Sequence, residues 1–285
     1  MSEVADHSGI RVAELFYSLQ GEGLYVGIPS IFLRMFGCNF TCSGFSMPRG
    51  QLSMERFDVD AGKYESYKDL PLVHTGCDSY AAWDPRFRHL SPWMTYDEIT
   101  DKTEDLLPGG IFGRSKHLIL TGGEPLLWQD KLVALLDHMW GRLSLSHLTF
   151  ETNGTQYLND DLKDYMYHGL NEVVFSISSK LPSSGESWEK AIKPNVIRSY
   201  IEYMPNAKAY FKWVVSSPDD LKDVKRAIKT YENGGVNIPV YLMPAGGTTM
   251  HYDGNEKWVA EMALENGWRY SPRIQVEIWK NSWGR

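Results

Sequence analysis

Residues 37–45, with the sequence GCNFTCSGF, are the part of this chain best suited to binding a metal. Cys38 and Cys42 are separated by three residues, and cysteine thiolates are the usual ligands of iron–sulfur clusters. A loop of this kind would carry a third cysteine at position 45, where this chain has phenylalanine. The segment therefore raises the question of whether the third thiolate is lost or lies elsewhere.

The chain has one further cysteine, Cys77, in the sequence HTGCDSYAAWD. An insertion of residues 43–76 in the cluster loop would explain its position, because the entropy of closing a loop grows only logarithmically with length. Three thiolates on a four-iron cluster would leave one iron open to a further ligand. The alternative is a zinc site formed by the three cysteines with His74 or His117. The cysteines alone support both interpretations equally.

A second candidate site is the sequence TGGEP, which follows the apolar run HLIL at 117–120. Gly122 and Gly123 would allow the backbone to approach a ligand closely, and Glu124 can pair with an ammonium or hydroxyl group. A lone GGE is often only a tight turn. Here it follows a predicted strand and lies downstream of the cysteine loop, which favours a ligand site.

Composition limits the class of protein. The 285 residues, 42% of them hydrophobic, suffice for one large domain or at most two small ones. No run of about 18 uncharged apolar residues predicts a membrane span, and the N-terminus lacks the pattern of a secretory signal. An odd number of cysteines argues against a disulfide framework, so we expect a cytoplasmic protein. The net charge of −7 without a basic block argues against nucleic-acid binding and favours a small-molecule substrate.

Short β-branched and aromatic runs alternate with helical patterns along the chain, which predicts βα units and a parallel sheet. The predicted strands are 30–36, 117–120, 147–151, 172–177, 209–215, 238–243 and 273–279. The predicted helices are 95–107, 127–142, 160–168, 187–203, 218–233 and 255–266. Residues 43–76 show no clear strand or long helix, but they are rich in apolar residues and predict a folded cover.

Parallel βα sheets gather function at the carboxyl ends of their strands. In this chain those ends carry Gly37-Cys38, TGGEP at 121–125, ETNG at 151–154, SISSK at 176–180 and Met243-Pro244. Polar and glycine-rich sequences recur at most of them, which a purely structural sheet would not need.

The CxxxC sequence after one strand and GGEP after another resemble the radical S-adenosylmethionine superfamily. The resemblance implies a partial, incomplete parallel β/α barrel. It also implies that three cysteines hold a 4Fe-4S cluster, whose open iron binds the amino and carboxylate groups of S-adenosylmethionine.

Residues 14–39, ELFYSLQGEGLYVGIPSIFLRMFGCN, further resemble the 7-carboxy-7-deazaguanine synthases. QGEG at 20–23, GxP at 27–29 and FLR before GCN occur in the order of that family, followed by LTGGEP, ETNGT, S-x-K at 178–180 and FKWVV at 211–215. The resemblance covers most of one core domain, 1–285, outside the 43–76 insertion. It implies a lyase of queuosine and 7-deazapurine biosynthesis that converts 6-carboxy-5,6,7,8-tetrahydropterin to 7-carboxy-7-deazaguanine by radical ring contraction with loss of ammonia.

The resemblance also implies roles for individual residues. Glu22 and Arg34 would position the substrate for catalysis, since Arg can bind a carboxylate with two parallel hydrogen bonds. The substrate-binding residues would be Gln20, Glu22, Arg34 and Thr121. Gly122, Gly123, Glu124, Ser178 and Lys180 would surround S-adenosylmethionine, and Cys38, Cys42 and Cys77 would hold the cluster. The family has Asp-Thr after its third cysteine, with the Thr near Mg²⁺; Asp78-Ser79 stands here, so Ser79 is the candidate for Mg²⁺.

Several residues depart from the family pattern or admit a structural role. Ser179 replaces a common proline, and the histidine expected in a C-terminal Gln-x-His is absent where the chain has Gln275 and Glu277. Arg34 could instead form a structural ion pair, Lys180 could be a solvated lysine, and Glu151 could be a turn residue.

The expected partners are an electron donor such as flavodoxin or ferredoxin and a second copy of the chain in a homodimer. Two other functions remain open at this point: another radical S-adenosylmethionine enzyme, such as a glycyl-radical activase, and a non-catalytic zinc-binding protein.

Overall fold

One mixed sheet organises the chain in this computed structural model, which describes residues 9–202, 204–248, 252 and 254–285. Within those residues nine strands form the order β3-β1-β2-β4-β5-β6-β7-β8-β9. Their bounds are β1 Ile10–Leu19, β2 Pro29–Met35, β3 Trp93–Met94, β4 His117–Gly122, β5 His147–Thr152, β6 Glu172–Ile177, β7 Ala207–Val215, β8 Val240–Pro244 and β9 Arg269–Tyr270.

The sheet is antiparallel at its beginning and parallel thereafter. β1 pairs antiparallel with β2 and β3, whereas each neighbouring pair from β2–β4 to β8–β9 is parallel. The outer strands β3 and β9 are not paired with each other in the described residues, so the barrel is incomplete. This confirms the predicted partial α/β barrel and brings the carboxyl ends of β4 to β8 to one edge.

Helices connect the parallel strands and pack against the sheet. Their bounds are α1 Tyr96–Leu106, α2 Gln129–Leu143, α3 Asp160–Gly169, α4 Trp188–Ala191, α5 Pro194–Ile201, α6 Pro218–Asn233, α7 Glu256–Glu265 and α8 Ile274–Trp279. In α2 the predicted apolar stripe Leu132, Leu135, Leu136 and Met139 is fully buried. Among the described helices, none combines the length and apolarity needed to cross a membrane.

Most predicted elements are confirmed to within a few residues, with two exceptions. Residues 273–279 were predicted as a strand and instead form α8, so that prediction is wrong. The Ile274 amide donates a hydrogen bond to the Gly21 carbonyl oxygen and does not pair with a neighbouring strand. The predicted helix 187–203 is divided into α4 and α5, because Pro194 has no amide hydrogen and begins a new helix.

Residues 43–76 fold back on the first part of the sheet. They contain the 3₁₀ turns Glu55–Asp58, Ala61–Lys63 and Tyr67–Asp69. Buried side chains of this segment, Val59, Tyr67, Leu70 and Val73, form an apolar cluster with Ala13, Tyr80, Ala81, Ala82, Phe87 and Leu90. The Tyr67 hydroxyl lies 2.7 Å from the Ala81 carbonyl oxygen. The segment therefore has a core of its own continuous with the region just after Cys77.

Side chains close the sheet at its amino end. His117 begins β4 and stacks on His147, the first residue of β5, with ring centroids 5.0 Å apart. Tyr25 packs edge-on against His117 at 4.6 Å, and its hydroxyl bonds Glu172, which also pairs with Lys208. Burial, with His147 nearby, lowers the pKa of His117 to about 4. We refer to these five side chains as the amino-end plug.

Candidate active site

A cavity of about 280 Å³ lies at the carboxyl ends of the parallel strands. Its lining includes residues that end or follow β4, β5 and β6, together with Lys212 from the middle of β7. Every site residue predicted from the sequence lines this cavity except Glu124. The lining members are Gln20, Glu22, Arg34, Cys38, Cys42, Cys77, Ser79, Thr121, Gly122, Gly123, Ser178 and Lys180.

The three cysteines lie together on one wall of the cavity. Cys38, Cys42 and Cys77 pack in one cluster with Phe40 and Phe45. All three are unpaired thiols. Burial raises the pKa of each, to about 12 for Cys38. Buried thiols with raised pKa values stay protonated until a metal displaces the proton, as expected of metal ligands before the metal binds.

The surroundings of these thiols suit an iron–sulfur cluster. The Phe40 amide donates to Cys38 Sγ at 3.4 Å. The Trp83 side chain lines the same cavity, and its hydrogen bond to Cys77 lowers the pKa of that thiol against the larger effect of burial. Cluster sulfurs accept hydrogen bonds from such N–H groups. The donor set of three thiols with nearby N–H groups therefore fits the cluster that the sequence predicted.

Neither histidine of the zinc alternative lines the cavity with the three cysteines. No group of three Cys, His, Asp or Glu within the described ranges is arranged to hold a single metal ion. His117 belongs to the amino-end plug, and His74 Nδ1 lies 3.0 Å from Thr248 Oγ1. Thiolates that bind different irons of one cluster need not converge on a single point, which a zinc ion requires.

Two glycines allow β4 to lie directly against the cysteine loop. A Cβ on Gly122 would lie 2.1 Å from the Met35 carbonyl oxygen, and Gly122 has a φ of +137°. A Cβ on Gly123 would lie 2.2 Å from the Gly37 carbonyl oxygen and 2.5 Å from Cys38 Cβ. Any side chain at these positions would displace the loop. This leaves backbone groups exposed to the cavity beside Cys38.

Glu124 has a structural role in the described contacts. Its side chain is only 1% exposed, and burial raises its pKa. Oε1 accepts from Thr152 Oγ1 at 2.8 Å and Oε2 accepts from the Asn153 amide at 2.7 Å. The carboxylate therefore joins the end of β4 to the end of β5. Its predicted contact with S-adenosylmethionine stays a prediction.

Ser178 and Lys180 lie on the wall beside Cys42. Lys180 Nζ donates to Ser178 Oγ at 3.0 Å and lies 5.9 Å from the centroid of the Phe45 ring. The ammonium group therefore faces the cavity rather than solvent alone, which disfavours a purely solvated surface role.

A buried ion network forms another part of the cavity wall. Lys212 is 3% exposed, and its Nζ contacts Glu22 Oε2 at 2.6 Å and Glu151 Oε2 at 2.7 Å. Glu22 Oε1 accepts from Arg273 Nε at 3.1 Å and from Gln275 Nε2 at 2.6 Å. Burial alone would raise the pKa of Glu22, but Lys212 and Arg273 lower it to about 2. Glu22 is therefore a fixed negative charge at neutral pH.

Gln20 completes this wall. Its Nε2 donates to Glu151 Oε1 at 3.1 Å, and its Oε1 accepts from the Glu22 amide at 3.2 Å. Glu151 is thus a member of the network and not a turn residue. The carboxylates and amides at one end of the cavity can match the N–H donors of a heterocycle.

Arg34 lies near the other end of the network. Its Nε donates to Glu14 Oε2 at 2.8 Å, and Nη1 lies 3.3 Å from Ser79 Oγ. Asp78 Oδ2 is bound by Arg273 Nη2 at 2.6 Å, and the Arg273 guanidinium lowers the pKa of Asp78 against the effect of burial. Because Nε pairs with Glu14, the guanidinium edge of Arg34 at Nη2 remains available to bind an anionic ligand.

Known enzymes are similar to this chain over nearly its whole length. A 7-carboxy-7-deazaguanine synthase from Methanopyrus kandleri is 30% identical over 272 residues, which cover 93% of this chain and 92% of that protein. The enzyme of the same name from Halobacterium salinarum is 29% identical over 99% of this chain and 95% of its own length. This chain belongs to the 7-carboxy-7-deazaguanine synthase family.

A solved structure agrees with this assignment at the level of the fold. The crystal structure of QueE from Escherichia coli has a TM-score of 0.54 and 17% sequence identity, and the match covers 92% of this chain and 93% of that one. No family model matches the chain. The assignment to the 7-carboxy-7-deazaguanine synthase family therefore rests on the nearly full-length relatives. The E. coli structure supports only the incomplete barrel fold.

Sequence reasoning missed several charged and polar residues of this family member's cavity. Lys212 was visible only as part of FKWVV, and Arg273 and Gln275 lay in the segment that was predicted as a strand. Glu14 and Asp78 had no assigned role. The signal that could have found Lys212 is a lysine inside an apolar strand, because a buried lysine requires a carboxylate partner.

Proposed function

We propose that this chain converts 6-carboxy-5,6,7,8-tetrahydropterin to 7-carboxy-7-deazaguanine with loss of ammonia, as a radical S-adenosylmethionine lyase of 7-deazapurine and queuosine biosynthesis. The single observation that carries the proposal is the 30% identity to a 7-carboxy-7-deazaguanine synthase over 93% of the chain. The cavity supports it, because the three cysteines and the ion network face the same space.

Cys38, Cys42 and Cys77 would hold a 4Fe-4S cluster. The backbone at Gly122 and Gly123, the polar groups of Ser178 and Lys180, and Glu124 at the end of β4 would bind S-adenosylmethionine. When bound, this pair of cofactors supplies the radical chemistry that begins ring contraction. The surrounding protein orients the reactants and excludes water from the cavity wall.

Gln20, Glu22, Arg34 and Thr121 would bind the pterin. Glu22 stays ionised, so its carboxylate accepts from the N–H groups of the ring. Arg34 would bind the substrate carboxylate with the guanidinium edge that Glu14 does not occupy. Thr121 lies beside Arg34 in the parallel register of β2 and β4, so both side chains would contact the same part of the ligand.

Ser79 and Asp78 would lie nearest to a Mg²⁺ ion, although Asp78 is already bound by Arg273. Ser79 Oγ, 3.2 Å from Asp78 Oδ1, offers the hard oxygen that Mg²⁺ prefers. We also infer a homodimer, an electron donor such as flavodoxin or ferredoxin, and a cytoplasmic location, where thiols stay reduced. Residues 43–76 would be an insertion in a single core domain.

The test is an anaerobic assay of the reconstituted protein with the pterin, S-adenosylmethionine, Mg²⁺ and a reductant. We expect formation of 7-carboxy-7-deazaguanine, detected by mass spectrometry, and about four irons and four sulfides per chain. A protein that holds a full cluster and cleaves S-adenosylmethionine but leaves the pterin unchanged would contradict the substrate. A protein that binds no iron would contradict the whole proposal.

A further inference from the structure

Glu186 contacts the cysteine loop although it lies far from it in sequence. Its Oε1 accepts three hydrogen bonds: from the Thr41 amide at 2.8 Å, the Cys42 amide at 2.9 Å and the Thr41 hydroxyl at 3.1 Å. All three donors come from the two residues at and just before the second cysteine. A single carboxylate oxygen therefore fixes the backbone there.

The same two segments are in close contact at a neighbouring residue. The Gly44 amide donates to the Ser184 carbonyl oxygen at 2.8 Å. A Cβ on Gly44 would lie 2.6 Å from the Gly185 amide nitrogen and from the Ser183 carbonyl oxygen. These contacts fix the loop after β6, which carries Glu186, against the loop after β2.

Cys42 needs external support because its backbone conformation is unusual. Its φ is +48°, in the left-handed region that residues with a Cβ rarely occupy. Such a conformation persists only where surrounding contacts determine it. The hydrogen bond from the Cys42 amide to Glu186 is one such contact, and it acts on the residue whose thiol faces the cavity.

We propose that Glu186 is a positioning residue for cluster binding, which fixes Thr41 and Cys42 through Oε1. This inference rests on the proposed function, since it concerns the cluster of the same site. It has a second consequence. The Thr41 and Cys42 amides donate to the Glu186 carboxylate, which places a negative charge beside Cys42. Both the charge and the hydrogen bonds to sulfur set the reduction potential of a cluster, so Glu186 shifts the cluster potential to more negative values.

Two substitutions separate the hydrogen bonds from the charge. Glu186→Gln retains an oxygen that can accept all three bonds and removes the charge, whereas Glu186→Ala removes both. Glu189→Gln is the matched control, because Glu189 lies in α4 close by and is exposed. The measurements are iron and sulfide per chain after anaerobic reconstitution, and the midpoint potential from a titration followed by electron paramagnetic resonance.

We expect wild type, Glu186→Gln and Glu189→Gln to hold equal iron, and Glu186→Ala to hold at least twofold less. Glu186→Gln should have a more positive midpoint potential than wild type, and Glu189→Gln should not. Full iron in Glu186→Ala, or the same loss in Glu186→Gln, would overturn the positioning role. Should Glu186→Ala not fold, as judged by circular dichroism, the potential of Glu186→Gln decides: an unchanged value overturns the proposal. Wild-type protein without iron would contradict the proposed function instead.

Discussion

The amide of Gly76 donates a hydrogen bond to the carbonyl oxygen of Phe45 at 2.8 Å. Phe45 occupies the position at which an uninterrupted loop would carry its third cysteine, and Gly76 precedes Cys77. The chain that leaves the cluster loop at residue 45 therefore returns to the same place at residue 76. This bond joins the two ends of the segment and so helps to place Cys77 beside Cys38 and Cys42.

The first prediction concerns Cys77. Replacement of Cys77 by Ala should remove most of the bound iron, as replacement of Cys38 or Cys42 should, because each thiolate holds a different iron of one cluster. Iron and sulfide are measured after anaerobic reconstitution, with wild type alongside. A Cys77→Ala protein with a full cluster, compared with a Cys38→Ala protein without one, would show that Cys77 is not the third ligand.

The second prediction concerns Lys212. Lys212→Met should lower the free energy of unfolding by about 3–5 kcal/mol, because it removes the cation between the buried Glu22 and Glu151 carboxylates and leaves only Arg273 paired with Glu22. Urea denaturation of the apoprotein measures this.

The control for Lys212 is Lys222→Met, which removes an exposed lysine paired with Asp219 and should cost less than about 1 kcal/mol. Similar losses in the two variants would show that the buried network contributes no more than a surface pair.

The third prediction is a loss of stability in acid caused by Glu22. Its pKa is about 2 in the folded protein against an ordinary 4.5, so its contribution is complete above pH 4.5 and is lost as the pH falls towards 2. The contribution amounts to about 3 kcal/mol. The difference in unfolding free energy between wild type and Glu22→Gln, measured at several pH values, should therefore shrink between pH 5 and pH 2. A constant difference over that range would refute the assignment.

The fourth prediction concerns Arg34. Arg34→Lys should weaken pterin binding by about 1.5–3 kcal/mol, because lysine cannot form two parallel bonds with a carboxylate while it also pairs with Glu14. S-adenosylmethionine binding should change little. Calorimetric titration of the reconstituted protein with each ligand measures both affinities, and equal losses for the two ligands would argue for a general structural role of Arg34.

The fifth prediction concerns the 43–76 segment as a cover. Replacing residues 51–68 by a short glycine linker removes Val59 and Tyr67 from the apolar cluster that packs on Tyr80 and Ala81. The region beside Cys77 then becomes accessible to solvent, and the reconstituted cluster should lose its visible absorbance faster in air. Equal lifetimes in air for the variant and wild type would show that the segment does not shield the cluster.

Local patterns in the sequence were sufficient for most of the fold. Helix α2 was predictable because its apolar residues recur at helical spacing, and α6 because Ser217 and Pro218 mark its start. Strand β1 was missed, since its buried positions include the adjacent Ala13 and Glu14, which interrupt the alternation and are not typical of strands. Helix α8 was mistaken for a strand because β-branched residues dominate a segment of only six residues, where tertiary contacts decide the conformation.

The candidate site was predictable where chemistry is concentrated in short motifs. Cys38 and Cys42, TGGEP and the S-x-K sequence were found because their residues are neighbours in the chain, and Cys77 because it is the one further cysteine. The contacts of Lys212 with Glu22 and of Glu186 with Cys42 join residues that only the folded sheet brings together. No local pattern encodes these pairs, so they required the structure.

The amino-end plug also determines how ligands exchange. His117, His147, Tyr25, Glu172 and Lys208 fill the end of the sheet opposite to the cavity. As far as the described residues extend, both ligands of this enzyme family would then share the mouth at the carboxyl ends of the strands. A ligand bound at that mouth would therefore obstruct the exchange of the other.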